Sequence, residues 1–184
     1  MARRGFGRKR PAFGKGALAG AIAGLAGAWT MNQFQALLSN ATRKKQENGA
    51  EAQKQQEQAS GAEDGDATQK LAARIGRAVL GRAITKHERD VGGPIVHYAF
   101  GCASGALYGS AVELSPLVSK GFGLPFAAAL WLAADEATVP ALGLSKSPLD
   151  YPLSSHLFAL AAHGVYGVTT ELARRALRSA LSTR

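Results

Sequence analysis

The sequence predicts an all-α protein, a multi-pass membrane bundle of four transmembrane helices with an amphipathic helix in its long first loop. Three apolar segments joined by short turns carry this prediction: 91–112, 121–144 and 151–170. Each is close to the ~20 residues that a helix needs to cross a ~30 Å hydrocarbon core. All three are rich in glycine and alanine, as is typical of helices that pack together in lipid.

The net charge of the chain is also compatible with a second class of protein, a soluble nucleic-acid binder. The chain has 184 residues, of which 46% are hydrophobic, and a formal net charge of +9. A basic balance indicates either nucleic acid or an anionic membrane surface as a partner. A soluble nucleic-acid binder is therefore an alternative, but its interleaving of aromatic and basic residues is lacking. The expected partners are the lipid bilayer and, as an option left open, a second copy of the chain. No nucleic acid is expected.

The first predicted span, 16–42, follows a basic cytoplasmic N-terminus, 1–15, and carries no charged residue. The same outline fits a cleaved signal peptide, and the Arg-Arg-Gly-Phe sequence at 3–6 resembles a twin-arginine export signal. We favour a transmembrane helix with a basic flank because further spans follow it.

Two glycine triplets mark the first two spans. They are Gly16, Gly20 and Gly24 in the first span, and Gly101, Gly105 and Gly109 in the second. A spacing of four places the glycines of each triplet on one face of a helix, where a second helix can approach closely. This glycine-zipper pattern predicts tight packing within the bundle or between protomers.

A polar insert separates the first two spans. Residues 43–65 have no apolar periodicity and predict a disordered segment or an extension of the first helix. Residues 66–90 predict an amphipathic basic helix, capped by Asp66 with Gln69 three residues on. Such a helix lies either on a membrane surface or against the spans. The Gly-Gly-Pro sequence at 92–94 is expected to end the insert.

An internal echo links the second and fourth spans. Tyr108 and Glu113 lie in the pattern Tyr-Gly-x-x-x-Glu-Leu, and so do Tyr166 and Glu171. One span separates the two copies, so both must cross the membrane in the same direction. The echo is typical of a parallel repeat of helix pairs, although chance competes with this interpretation.

These residues also carry a family resemblance. The matching positions are His97, Tyr108, Glu113, Pro116, Pro140-Ala141-Leu142-Gly143-Leu144, Pro148, His163, Glu171 and Arg174-Arg175-Ala176-Leu177-Arg178. Over them the chain resembles the YagU-like family of bacterial inner-membrane proteins. The resemblance implies a multi-pass inner-membrane protein and gives no reaction. The polar insert departs from the connection expected in that family.

The positions of lysine and arginine predict the orientation. With both termini in the cytoplasm, the basic N-terminus and the arginines after the fourth span lie inside, as basic residues near span ends do. The core of three transmembrane helices then covers 91–178, and a C-terminal tail covers 179–184. The expected location is a bacterial inner membrane.

Five ionisable residues at membrane depth form the candidate proton-responsive cluster. They are Asp135, Glu136, His97, His156 and His163. Ionisable groups in lipid are costly and mark candidate functional sites. Helical rise places Glu136 and His163 at similar depths, so we expect these two to pair. Three interpretations compete: hydrogen bonds that only stabilise the bundle, a proton-linked transporter or pH sensor, and a divalent-metal site.

No enzyme is predicted, because the sequence lacks a nucleophile–base pair, a phosphate loop and a dinucleotide fingerprint. No cofactor is expected. No metal is expected either, because metal-ligand spacing is missing. Glu171 lies three and four residues before Arg174 and Arg175, which predicts an ordinary ion pair on a helix surface.

Overall fold

The fold is described for residues 12–46 and 65–181 of a computed structural model, and within these ranges it is all-helical, without strands. Most of the basic N-terminus, most of the polar segment 43–65 and the last three residues of the tail lie outside the described residues. The main helices are α1 (Phe13–Gln46), α2 (Ala67–Leu80), α3 (Lys86–Leu114), α4 and α5 (Leu153–Ala180).

The fourth helix, α4, is composite. A 3-10 segment, Pro116–Gly123, is interrupted by a kink at Lys120–Phe122, where the backbone is not helical, and leads into an α-helical part, Leu124–Trp131. The chain then widens into a π-helical segment, Leu132–Thr138, and ends in an α-helical turn, Val139–Ala141. A short 3-10 turn at Pro148–Asp150 connects it to α5.

The amphipathic helix is shorter than the sequence predicts. The capping box forms as expected, because the Asp66 carboxylate accepts a hydrogen bond from the backbone N–H of Gln69 at 2.9 Å. The helix stops at Leu80, where Gly81 adopts a left-handed conformation with φ of 67°. Glycine reaches this conformation without a Cβ clash, which is why it ends helices.

The expected break at 92–94 is wrong. A second capping box, formed by Thr85 and Glu88, starts α3 at Lys86, and the helix continues through Pro94. The two glycines before this proline serve packing, because a Cβ at Gly92 would lie 2.9 Å from the Cβ of Ala72 in α2.

Four helices form the bundle, and their contacts give its topology. α1 runs antiparallel to α3 and to α5: Gly20 lies against Gly105 in α3, and the hydroxyl oxygens of Thr30 and Thr169 in α5 lie within hydrogen-bond distance at 3.0 Å. α4 runs antiparallel to α5, because Gly123 lies against Gly167 and Glu136 pairs with His156. α3 and α5 point in the same direction. One end of the bundle therefore collects the start of α1, the ends of α3 and α5, and the start of α4.

Hydropathy identifies fewer spans than expected. Within the described ranges, one helical run, Pro116–Ala141, is long and apolar enough to cross a membrane. The other three helices of the bundle have 34, 29 and 28 residues, so they are long enough. Glycines, hydroxyl groups and charged residues, including Glu171 and Arg174 inside the bundle, lower the average hydropathy of these helices. Hydropathy therefore supports one of the four predicted spans and does not confirm a multi-pass bundle.

Candidate functional site

The acidic pair lies where α4 loses regular α-helical geometry. Asp135 and Glu136 are within the π-helical segment, and the Thr138 hydroxyl donates a hydrogen bond to the carbonyl oxygen of Ala133 at 2.7 Å. Pro140 has no N–H to complete the α-helical ladder, which favours an irregular turn just before it. π-Helical turns are frequent at functional sites.

Glu136 pairs with His156 at the start of α5. Its Oε1 lies 2.7 Å from His156 Nδ1, and His156 Nε2 lies 3.0 Å from the carbonyl oxygen of Pro148. A carbonyl oxygen only accepts, so Nε2 carries a hydrogen. The short Nδ1–Oε1 contact then requires a proton on one of its two atoms. The pair therefore holds one proton, either as imidazolium and carboxylate or as two neutral groups.

Asp135 pairs more loosely with His163. The Asp135 Oδ2 lies 3.7 Å from His163 Nδ1, which is beyond hydrogen-bond distance. His163 is buried, and its Nδ1 donates instead to the carbonyl oxygen of Ala159 at 2.9 Å. The prediction that Glu136 pairs with His163 is therefore wrong. In the structure Glu136 pairs with His156, and Asp135 is the carboxylate nearest to His163.

His97 approaches this cluster without a hydrogen bond to it. It is within electrostatic range of the Asp135 carboxylate, and its ring meets Tyr98 edge-on at 5.6 Å between centroids. Its Nε2 is buried without a hydrogen-bond partner, as is Trp131 Nε1 one turn before Asp135. The described residues contain no group of three His, Cys, Asp or Glu side chains placed to hold a metal ion.

The predicted glycine faces meet at the crossing of α1 and α3. Their three contacts join Gly16 to Gly109, Gly20 to Gly105 and Gly24 to Gly101. A Cβ on any of these six glycines would overlap atoms of the facing helix. The two backbones therefore approach more closely here than any other residue type permits.

A buried ionic network closes the opposite end of the bundle from the histidines. Glu171 is 0% exposed and accepts hydrogen bonds from Tyr108 at 2.9 Å, from Arg174 Nε at 2.8 Å and from Arg175 Nε at 2.5 Å. The surface ion pair predicted for Glu171 is thus wrong, because Tyr108 from α3 covers the carboxylate. Burial acts to raise the pKa of Glu171, but the bonds from Arg174, Arg175 and Tyr108 outweigh it and lower the pKa.

A second ion pair connects α3 and α5 at the same end. Arg178 Nε and Nη2 donate to the two carboxylate oxygens of Glu113 at 2.5 and 3.1 Å. The hydrogen bond from Arg178 is the main cause of the lowered pKa of Glu113. Such a two-pronged pair fixes orientation as well as charge.

The two copies of the echoed pattern make different contacts. Tyr108 donates to Glu171, whereas Tyr166 donates to the carbonyl oxygen of Gly101 at 2.7 Å. Glu171 bonds within α5 and to α3, whereas Glu113 bonds across to Arg178 in α5 and to the backbone of Ala12 before α1. The shared spacing places equivalent residues at one end of the bundle without giving them equivalent partners.

The fold and these sites define a class: an all-helical bundle held by close glycine packing, with ionisable residues inside it. Residues 68–172 match the family described as a protein of unknown function, DUF1440. The match covers more than half of the chain, so the protein belongs to this family. Neither the curated proteins nor the solved structures contain a match.

Sequence reasoning missed the partners that other elements supply. The Pro148 carbonyl that fixes the His156 ring lies in a short turn with no motif, and Arg178 was grouped with the basic flank. A signal was present for Arg178: it follows Glu171 by seven residues, as His163 follows His156. A helix repeats its faces at about that spacing, so these residues form one inward-facing polar stripe on α5.

Proposed function

We propose that this protein is a multi-pass inner-membrane helical bundle, similar to the YagU-like proteins, and that it responds to protons through its carboxylate–imidazole pairs. One observation carries the membrane assignment: the distribution of residues is opposite to that of a soluble domain. Large apolar side chains such as Leu107 (70% exposed), Ile95 and Leu157 point outward. Glu171, Arg174 and His163 are buried. In lipid, ionisable groups face the bundle interior and small residues mediate packing.

Sodium carbonate extraction of cell membranes tests this assignment. An integral protein stays in the pellet with a known multi-span control, and the proposal fails if the protein is released with peripheral proteins. The proposed orientation puts both termini in the cytoplasm and the turn at 145–150 outside.

The proton response rests on the geometry at His156. The ring is held by the Pro148 carbonyl on one side and by Glu136 on the other. Loss of the shared proton would leave two lone pairs facing each other, and a second proton would remove the charge of the carboxylate. Either change weakens the contact between α4 and α5. A bundle with this pair at its outer end therefore changes its packing with pH.

Tryptophan fluorescence in liposomes tests the response in a Trp29→Phe background, which leaves Trp131 as the one tryptophan, one turn before the acidic pair. We expect a fluorescence transition between pH 8 and 4 that Glu136→Gln and His156→Gln each abolish. His87→Gln is the matched control, since His87 is an exposed histidine outside the cluster, and it should keep the wild-type transition. If the two cluster variants titrate like wild type while remaining folded, the pairs only stabilise the bundle.

A second candidate function, a structural or partner-binding membrane subunit, is favoured by the Glu171 network. In that network two arginines and a tyrosine bond to Glu171 within the bundle, so the Glu171 carboxylate is not accessible to a ligand. Under this alternative, Glu171→Gln lowers stability while the pH-dependent fluorescence of Trp131 is absent already in the wild type.

A further inference from the structure

Helix α2 exposes one apolar face. It packs on α3 through Ala72, which is buried, yet Ile75 and Val79 on a neighbouring face are exposed, Val79 by 75%. The adjoining part of α3 also exposes Val91 and Ile95. A row of apolar residues at this end of the bundle is thus left open to its surroundings.

The opposite face of α2 is basic. Lys70, Arg74 and Arg77 are the charged residues of the helix, which contains no Asp or Glu. Arg74 donates hydrogen bonds to the carbonyl oxygens of Leu142 and Gly143 at 2.5 and 3.3 Å. These bonds fix the rotation of α2 about its own axis, so its apolar face has a defined direction.

Helix α2 is capped at both ends. The Asp66 capping box closes its start, and Gly81 closes its end. Its 14 residues extend about 21 Å at 1.5 Å per residue. A capped helix with one apolar face and one basic face is suited to the boundary between headgroups and acyl chains.

We infer that α2 lies in the headgroup layer of an anionic bilayer, with Ile75 and Val79 toward the acyl chains and Arg77 toward the lipid phosphates. This inference rests on the proposed function, because the bilayer is the one that the bundle spans. Charge complementarity selects anionic lipid: each lysine or arginine close to such a surface strengthens partitioning about fivefold. The exposed row on α3 makes the apolar face of α2 continuous with the proposed lipid-facing surface.

Single fluorescent labels on the full chain in liposomes test this inference. In a Cys102→Ala background, which removes the one native cysteine, cysteines at Val79, Arg77 and Leu107 are labelled with an environment-sensitive dye. Vesicles contain phosphatidylcholine with or without phosphatidylglycerol, and carry a spin-labelled lipid that quenches near the headgroups or one that quenches deeper. Iodide serves as the aqueous quencher.

We expect the shallow lipid quencher to act severalfold more strongly on the Val79 label than on the Arg77 label. This difference should grow with phosphatidylglycerol, and Arg77→Gln should weaken lipid contact of the Val79 label about fivefold. The Leu107 label reports the membrane assignment separately, because it lies inside the predicted span 91–112 on α3 and should respond to a lipid quencher.

Three results would overturn the inference. If lipid quenchers act on the Leu107 label while iodide quenches the Val79 label, the inference is refuted and the membrane proposal stands. A Val79 label shielded from both quenchers and cross-linked between copies assigns the face to a second copy of the chain. Equal quenching with and without phosphatidylglycerol removes the anionic preference. Absence of lipid quenching at Leu107 refutes the membrane proposal itself.

Discussion

Replacement of Glu171 by glutamine should destabilise the bundle strongly. The carboxylate is fully buried and neutralises Arg174, whose side chain is 7% exposed, and Arg175, which is half exposed. Removing one partner of a buried ion pair costs about 3–5 kcal/mol, because the other charge stays buried. Arg175 can turn to solvent and adds little, so we expect about 3 kcal/mol, at the lower end of that range.

Thermal unfolding in detergent micelles measures this change. For a chain of this size, about 3 kcal/mol corresponds to a lowering of Tm by roughly 6–12 °C. Glu88→Gln is the matched control, since it removes an exposed ion pair with Arg82 at 2.6 Å and keeps a side chain suited to the capping box. It should leave Tm unchanged within error. Equal Tm values for the Glu171 and Glu88 variants would refute the energetic role of the network.

Two further predictions concern packing and pH. Gly105→Ala should lower Tm, because the added methyl group overlaps the carbonyl oxygen of Gly20. Gly14→Ala is the control, since a Cβ at Gly14 has no atom within 4 Å. Equal Tm values for the two variants would contradict close packing of α1 on α3. Acid should destabilise the folded state through Glu113 and Glu171, whose pKa values are lowered in it. Their contribution is full above the unfolded pKa of about 4.3 and is lost as pH falls through the folded values. Tm measured from pH 7 to 3 should therefore fall more in wild type than in a Glu171→Gln variant, and parallel curves would contradict this.

The order and approximate positions of the helices could be predicted, because long apolar runs and a capping box leave clear traces in a sequence. The boundary between α2 and α3 could not. Glycine and proline at 92–94 suggested a break, but a helix tolerates them when its start is capped earlier and a neighbour fills the space, as Ala72 does beside Gly92. Local residue preferences give no information about a neighbouring helix, so they could not predict this continuation of α3.

The candidate cluster could be predicted as a set but not as pairs. Depth along ideal α-helices brought the acidic pair near the histidines, yet the π-helical segment changes the angular positions of Asp135 and Glu136. Glu136 therefore pairs with His156 and not with His163, which lies nearer Asp135. The burial of Glu171 was equally hidden. A spacing of three and four residues to an arginine is the same in a surface pair and in a buried one, and Tyr108 from another helix decides between them.

Cysteine accessibility in intact cells tests the central claim, a four-span bundle with both termini inside, most directly. In a Cys102→Ala background, Leu149→Cys lies in the turn before α5 at a site that is 94% exposed, and Ser179→Cys lies at the end of α5. The account predicts that a membrane-impermeant maleimide labels position 149 in intact cells, and labels position 179 only after the membrane is permeabilised. Labelling of both positions from the same side would contradict it.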